Sequence, residues 1–200
     1  METAIVLWEA CVISSLLHGS GTWTEISGST EKSLNALQLW YLRLVLQVGP
    51  GAPVASLLWD FGMLDMGLRI WIEKLMLILH IRRLGDDSLA GKVYKEQKLQ
   101  KWPGLAEEAD HICEKLSIES VHTTKLSSKV YRRKVEEACH KVNEERLRKQ
   151  AEGKTKCEHI MTESYEKKAY IRDRLEIPQV LFICGPRKQV QTPPSPSYFP

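Results

Sequence analysis

No apolar run in this 200-residue chain reaches the roughly 18–20 residues that a membrane-spanning helix needs. The two longest charge-free stretches, 10–24 and 44–59, are each interrupted by glycine-containing turns, the second also by Pro50 and Pro53. The apolar start, through Leu17, has no basic leader and contains Glu2 and Glu9, so it reads as a core helix and not as a signal sequence. No membrane partner is expected. The cysteines (Cys11, Cys113, Cys139, Cys157 and Cys184) include no CxxC pair. Their odd number and wide spacing suit reduced thiols in an intracellular protein, nuclear or cytoplasmic. P-loop, dinucleotide-binding and Ser/His/Asp patterns are missing, and Ser20 in Gly19-Ser20-Gly21 is a turn serine, not a nucleophile elbow. No enzyme activity and no cofactor are expected of the chain on its own. Strand signals are nearly absent, Val180 to Cys184 being the one short candidate, and there is no internal repeat.

Net charge is also small, at +3, which does not by itself announce a nucleic-acid binder. Its distribution says more. Residues 1–81 hold seven acidic and four basic groups, so the remainder carries +6. An apolar, slightly acidic first part is followed by a polar, modestly basic second part, as a solvated arm or a phosphate-facing surface would be. With 43% hydrophobic residues the chain can fill one sizeable core.

What is present is helical periodicity. Residues 3–17 place Ile5, Val6, Leu7, Val12, Ile13, Leu16 and Leu17 around most of a helix, which predicts burial on several sides. A turn, His18-Gly19-Ser20-Gly21-Thr22, then leads to Trp23, a large apolar anchor. Leu34, Leu37, Tyr41, Leu44 and Val48 recur at helical spacing. The Gly49–Pro53 segment ends that helix, and Pro53 opens a short one through Trp59. From about Asp65 to Leu84, Leu68, Trp71, Ile72, Leu75, Ile78 and Leu79 form an apolar face, with Arg69, Glu73, Lys74, Arg82 and Arg83 expected outside it or at its end. Asp87 or Ser88 can cap a helix through about Leu99, which Trp102-Pro103-Gly104 breaks. Further helices are expected at 105–116, at 127–150 on a thin stripe of Val130, Val135, Ala138 and Val142, and at 164–175.

The predicted fold is therefore all-α. A compact multi-helix module spans 1–100, a looser charged helical arm spans 101–188, and a Pro/Ser-rich disordered tail spans 189–200. The tail also holds Pro193-x-x-Pro196, a short pattern that Pro-recognising domains read.

An ordered series of segments resembles a known family. It runs Leu16-Leu17-His18-Gly19-Ser20-Gly21-Thr22-Trp23, Leu34 to Gln38, Leu42 to Leu46, Leu58 to Leu64, Arg69 to Leu75, and Asp87 to Ala90. This is similar to the region just C-terminal to the polymerase palm in non-LTR (LINE-type) retrotransposon reverse transcriptases. Three departures stand out: His18 replaces the usual Tyr, Gly21 the usual Glu, and Arg43 lacks an adjacent second Arg. The resemblance implies helical thumb and connection elements that hold a template–primer duplex, with the polymerase carboxylates outside this chain. It implies RNA–DNA hybrid or RNA as partner, held by Arg43, Lys74, Arg82, Arg83, Lys92 and Lys101 on phosphates, and Trp102 stacked on a base. Lys95 and Lys98 belong to the same basic run. The alternative is a helical protein-interaction module or inert transposon remnant with no nucleic-acid role, prone to self-association through uncovered apolar helices.

Two other constellations of chemistry-bearing residues read as structural. Gly85-Asp86-Asp87 follows one helix and starts another, whereas two-metal catalysis needs a carboxylate pair on a strand turn, so it reads as a helix stop and cap. His111/Cys113, Cys139/His140 and Cys157/His159 are doublets on separate helical segments, and nothing in their spacing makes four zinc ligands converge.

Overall fold

The computed structural model describes residues 2–23, 26–85, 87–100, 102–154, 157 and 160, and no strand occurs among them. The helix expected at 164–175, the strand candidate at 180–184 and the Pro-rich tail lie outside the described residues.

The first apolar segment forms one continuous helical path: α1 (Glu2–Leu7), a π-helical stretch (Trp8–Ile13) and α2 (Ser14–Leu16). The Ser14 and Ser15 hydroxyls donate back to the Ala10 and Cys11 carbonyls, the latter at 2.7 Å. Such back-bonding competes with the helical ladder and accompanies the wider turn. The five-residue step from Trp8 to Ile13 keeps both buried. Burial is nonetheless one-sided. Ile5, Trp8, Ile13 and Leu17 enter the core, while Val6, Leu7 and Val12 are exposed, which corrects the expectation of burial on several sides.

The turn that follows starts at Gly19, with φ +71°, and continues as a 3-10 turn (Ser20–Thr22). α3 (Gly28–Leu46) begins at Ser27, whose hydroxyl accepts from the Thr30 amide at 3.2 Å. It ends in a left-handed Gln47, with the Val48 amide returning to the Arg43 carbonyl at 3.1 Å. The inward face of α3 differs from the apolar stripe read in the sequence. Gln38 and Leu42 are buried, while Leu37, Leu44 and Val48 are exposed. The cause is polar: Gln38 donates from its amide nitrogen to the Leu64 carbonyl at 3.1 Å, which holds this side chain at a core position.

After Pro53, α4 (Val54–Asp60) buries Ala55, Ser56, Leu57, Leu58 and Trp59. Asp65 then caps α5 (Met66–Leu84), accepting from the Gly67 amide at 2.8 Å. α5 is the central element. One side, Met66 and Ile70, joins a core with Leu42, Trp8 and α4. The other, Leu68, Ile72, Leu75, Ile78 and Leu79, joins a second core with the last three helices. Those are α6 (Leu89–Gln100), α7 (Leu105–Leu116) and α8 (Ser128–Ala151).

α8 packs on both α4 and α5. Its buried residues are Tyr131, Val135, Cys139, Asn143, Leu147 and Ala151, one every fourth position. Of the four residues expected in its stripe, Val135 is buried, Ala138 and Val142 are partly buried against the core, and Val130 is exposed. Tyr131, Cys139 and Asn143 hid this register because two are polar or amphipathic and one is a small thiol. Asn143 donates to the Met63 carbonyl at 3.0 Å, tying α8 to the segment between α4 and α5.

Candidate nucleic-acid interface

The basic residues implicated by the resemblance are placed in three different settings. Arg43 is half-buried near the C-terminal end of α3 and donates to the Ala52 carbonyl at 3.5 Å, across the proline break. Arg82 and Arg83, at the end of α5, close over the loop before α8. Arg82 donates to the carbonyls of Val121, at 2.5 Å, and Thr124, and Arg83 to the Leu126 carbonyl, at 2.6 Å, and the Ser128 hydroxyl. These guanidiniums therefore satisfy backbone acceptors of a segment about 40 residues away in the chain.

Lys74 is a correction to the exposed position expected of it. It is 1% exposed, and its ammonium pairs with the Glu108 carboxylate of α7. Helical spacing puts residue 74 one turn from Ile70 and Ile78, both buried, so its stem belongs to the packed face of α5. A buried cation persists when it is paired, and Glu108 supplies the charge.

Lys92 lies exposed on α6. Trp102 follows that helix; its amide donates to the Gln97 carbonyl at 3.1 Å and its side chain is 55% exposed. Lys101 lies outside the described residues. Among the described positions, then, Lys92 near the start of α6 and Trp102 beyond its end are exposed, and Arg43, Lys74, Arg82 and Arg83 have partners within the fold.

Two polar constellations were not legible in the sequence. The first is a cleft of about 480 Å³ where the glycine turn meets α5 and α8. Arg69 pairs with Glu9 at 3.2 Å, and Arg132 meets both oxygens of Glu73, at 3.1 and 3.4 Å, with Glu136 at 3.9 Å. His18 and His140 also line it, above Ile13, Leu17, Leu64 and Ile72. Both guanidiniums are already met by carboxylates, so an anionic ligand would have to displace them. Its groups come from positions some 60 residues apart, which no local motif announces.

The second is a relay in the layer of α6 and α7, buried at Tyr94 and His122 and open to solvent at Asp110. The Tyr94 hydroxyl meets His122 Nδ1, and His122 Nε2 lies 3.1 Å from Asp110 and 3.2 Å from the Ala106 carbonyl. Ser120 donates to Asp110 at 3.2 Å. Burial holds the His122 pKa below the usual histidine value, with Lys98 and Arg82 acting the same way and Asp110 opposing them. Burial, helped by Asp110, pushes the Tyr94 hydroxyl up to about 12. The geometry is that of a structural bridge, joining α6, α7 and the 117–124 loop. Among the described residues, no three His, Cys, Asp or Glu side chains are grouped so as to hold a metal ion. His159 of the third Cys/His doublet lies outside them.

The matched segments between 16 and 75 meet around α5, whereas Asp87 to Ala90 stays at the surface. Gly21 is buried, and a Cβ there would sit 2.9 Å from the Glu73 carbonyl and 3.1 Å from Leu77 Cβ. The turn thus docks on α5 at a distance that admits no side chain, so the glycine in place of the family's usual Glu has a packing consequence. Gln38, Leu42, Leu58, Met63, Ile70 and Leu75, drawn from the other matched segments, are all buried. The chain matches no protein-family model, no curated protein and no solved structure.

Proposed function

We propose that this chain is a non-catalytic module resembling the thumb/connection region of a LINE-type RNA-directed DNA polymerase, contributing to the grip on a template–primer duplex. The observation that carries the reading is the ordered series of segments between 16 and 90, of which those between 16 and 75 each contribute a residue to the cores on the two sides of α5. A helical body supporting an exposed basic helix suits backbone contact with a duplex, which needs positioned cations and no base-reading element. On this reading Lys92 and Trp102, with Lys95 and Lys98 beside them, face the nucleic acid, and Arg43, Lys74, Arg82 and Arg83 act indirectly by shaping the support.

The test is binding of the full chain to an RNA–DNA hybrid across a salt series. Micromolar affinity at low salt, falling steeply as salt rises, is the expected result, because each phosphate contact releases counterions. Primer extension is expected to yield no product. Metal-dependent synthesis by this chain would overturn the non-catalytic part of the reading.

A second reading, an interaction module or remnant without a nucleic-acid role, is favoured by one observation. Lys74, Arg82 and Arg83 all have intramolecular partners. Absence of hybrid binding even at low salt decides for it.

A further inference from the structure

We infer that the outer face of α3, with Leu7 beside it, is a two-fold interface at which this helix packs on α3 of a second copy of the chain. Leu34, Leu37, Tyr41, Leu44 and Val48 recur at alternating steps of three and four residues, the period of a helix–helix seam. The fold covers only part of that seam. Leu34 packs against the first core. Tyr41 donates to the Ala4 carbonyl and stacks on Trp8, with ring centroids 4.2 Å apart and planes 14° from parallel. Leu37, Leu44 and Val48 stay exposed, and Trp40, one turn before Leu44, is 59% exposed. Leu7, also more than half exposed, lies one turn on from Ala4 and continues the surface onto α1.

Charge is engaged away from this surface. Between residues 33 and 48 the one basic or acidic group is Arg43, which reaches the Ala52 carbonyl at 3.5 Å. Between residues 3 and 17 it is Glu9, which pairs with Arg69 of α5 at 3.2 Å. Nothing therefore repels an identical face, and depletion of charge is what sets the core of a protein interface apart from other surface. The area is also sufficient. Leu7, Leu37, Trp40, Leu44 and Val48 together expose roughly 500 Å² of mostly apolar surface. That is about the apolar share of the ~800 Å² that each partner gives to a standard interface. Trp40 supplies the aromatic anchor that such contacts favour.

Other occupants fit less well. A lipid headgroup or a phosphate backbone would meet no cation within this face. A charged partner helix would bury its charges with nothing to pair them. Among the described residues no helix is long and apolar enough to cross a membrane, α3 included. A second α3 brings the same apolar steps at the same spacing. Turned antiparallel about a two-fold axis near residue 42, each copy sets Trp40 against Leu44 of the other, and every contact occurs twice. The face includes neither Lys92 nor Trp102, so pairing of copies and binding of a hybrid are separable properties.

The experiment is sedimentation velocity of the full chain, without nucleic acid, over a concentration series. The expected result is a reversible dimer at micromolar concentration that dissociates on dilution and grows no further. Trp40→Glu with Leu44→Glu sets carboxylates against one another around the axis and raises the dissociation constant about ten-fold or more. Trp40→Lys with Leu44→Lys does the same with ammonium groups. Mixed in equal amounts, the two variants pair again, because each then faces the opposite charge. Trp40→Gln with Leu44→Gln adds no charge and weakens the dimer by a smaller factor. Leu89→Gln with Leu99→Gln, on α6, leaves it intact. Circular dichroism establishes that each variant is folded, as expected of changes at exposed positions. A parent chain that stays monomeric, or association that continues past the dimer, overturns the inference. So does an undiminished dimer in the folded glutamate or glutamine variant, or a failure of the folded glutamate and lysine variants to pair. Loss of the dimer in the α6 variant also overturns it, by placing the contact on another face.

Discussion

Gly21 and Lys74 show how much single positions decide in this chain. Gly21 lets the turn touch the backbone of α5, with the would-be Cβ 2.9 Å from a carbonyl oxygen. Gly21→Ala is expected to destabilise by ~1–3 kcal/mol, because the obstacle is main chain and cannot rotate away. The midpoint of urea unfolding checks this, with Gly19→Ala as a contrast: nothing lies near that Cβ, and its cost comes from φ +71° alone. At Lys74 the asymmetry is electrostatic. Glu108→Ala removes the carboxylate beside an ammonium that is almost wholly buried, and should cost ~1–3 kcal/mol. Lys74→Met keeps the stem, leaves a Glu108 that water can reach, and should cost less. A double-mutant cycle on the two positions measures the pair; equal losses in both single variants would contradict this account.

At the scale of elements, helix positions were legible, and so was the face of α5 through Leu68, Ile72, Leu75, Ile78 and Leu79, but the inward faces of α3 and α8 were not. The stretch 105–116 is a helix with the expected bounds, and Pro53 and Asp65 stand at the starts of α4 and α5 as their side chains suggest. These are local signals, caps and breaks acting within a few residues. The inward face of α3 was hidden because Gln38 is buried through a hydrogen bond to Leu64, 26 residues away. The candidate cation set was hidden for the same reason. Arg82 and Arg83 find acceptors in the 121–128 loop, and nothing near residue 82 announces that loop. The link between α6 and α7 gives an element-scale prediction. The folded chain holds His122 below the usual value near 6.5, so below that pH the unfolded chain takes up a proton the folded one resists. The stabilising contribution is complete above the unfolded pKa and is lost as pH falls through the folded one. Unfolding midpoints measured from about pH 7.5 to about pH 5 should therefore decline on acidification. His122→Gln should be less stable at neutral pH and show a flatter decline, while a parallel decline would assign the effect to other groups.

For the whole molecule, the consequence of α5 lying between two cores is mutual dependence. Leu75, Ile78 and Leu79 of α5 meet Ala109, Ile112, Cys113, Val135 and Cys139 of α7 and α8. α8 also covers α4, through Leu147 and Ala151. A chain ending at Gly104 would leave these faces in water, so it should not unfold cooperatively and should bind a hydrophobic dye, whereas the full chain should unfold in one transition. Cooperative unfolding of the shortened chain would show that the first hundred residues are a self-sufficient unit, as the composition change near residue 81 suggests.

The sequence alone determined the class of fold, the places where helices start and stop, the family-like series of segments and the surplus of basic charge after residue 81. Each depends on interactions within one or two turns of chain, where periodicity, glycine, proline and caps act. Tertiary structure decided which sides of the first helix, α3 and α8 are inward, that Lys74 is a buried ion-pair partner, that Arg82 and Arg83 hold a loop, and that Lys92, Leu89 and Leu99 of α6 are exposed. Those outcomes depend on groups tens of residues away. A cation's role is set by the acceptor that reaches it, and only the folded chain brings the two together.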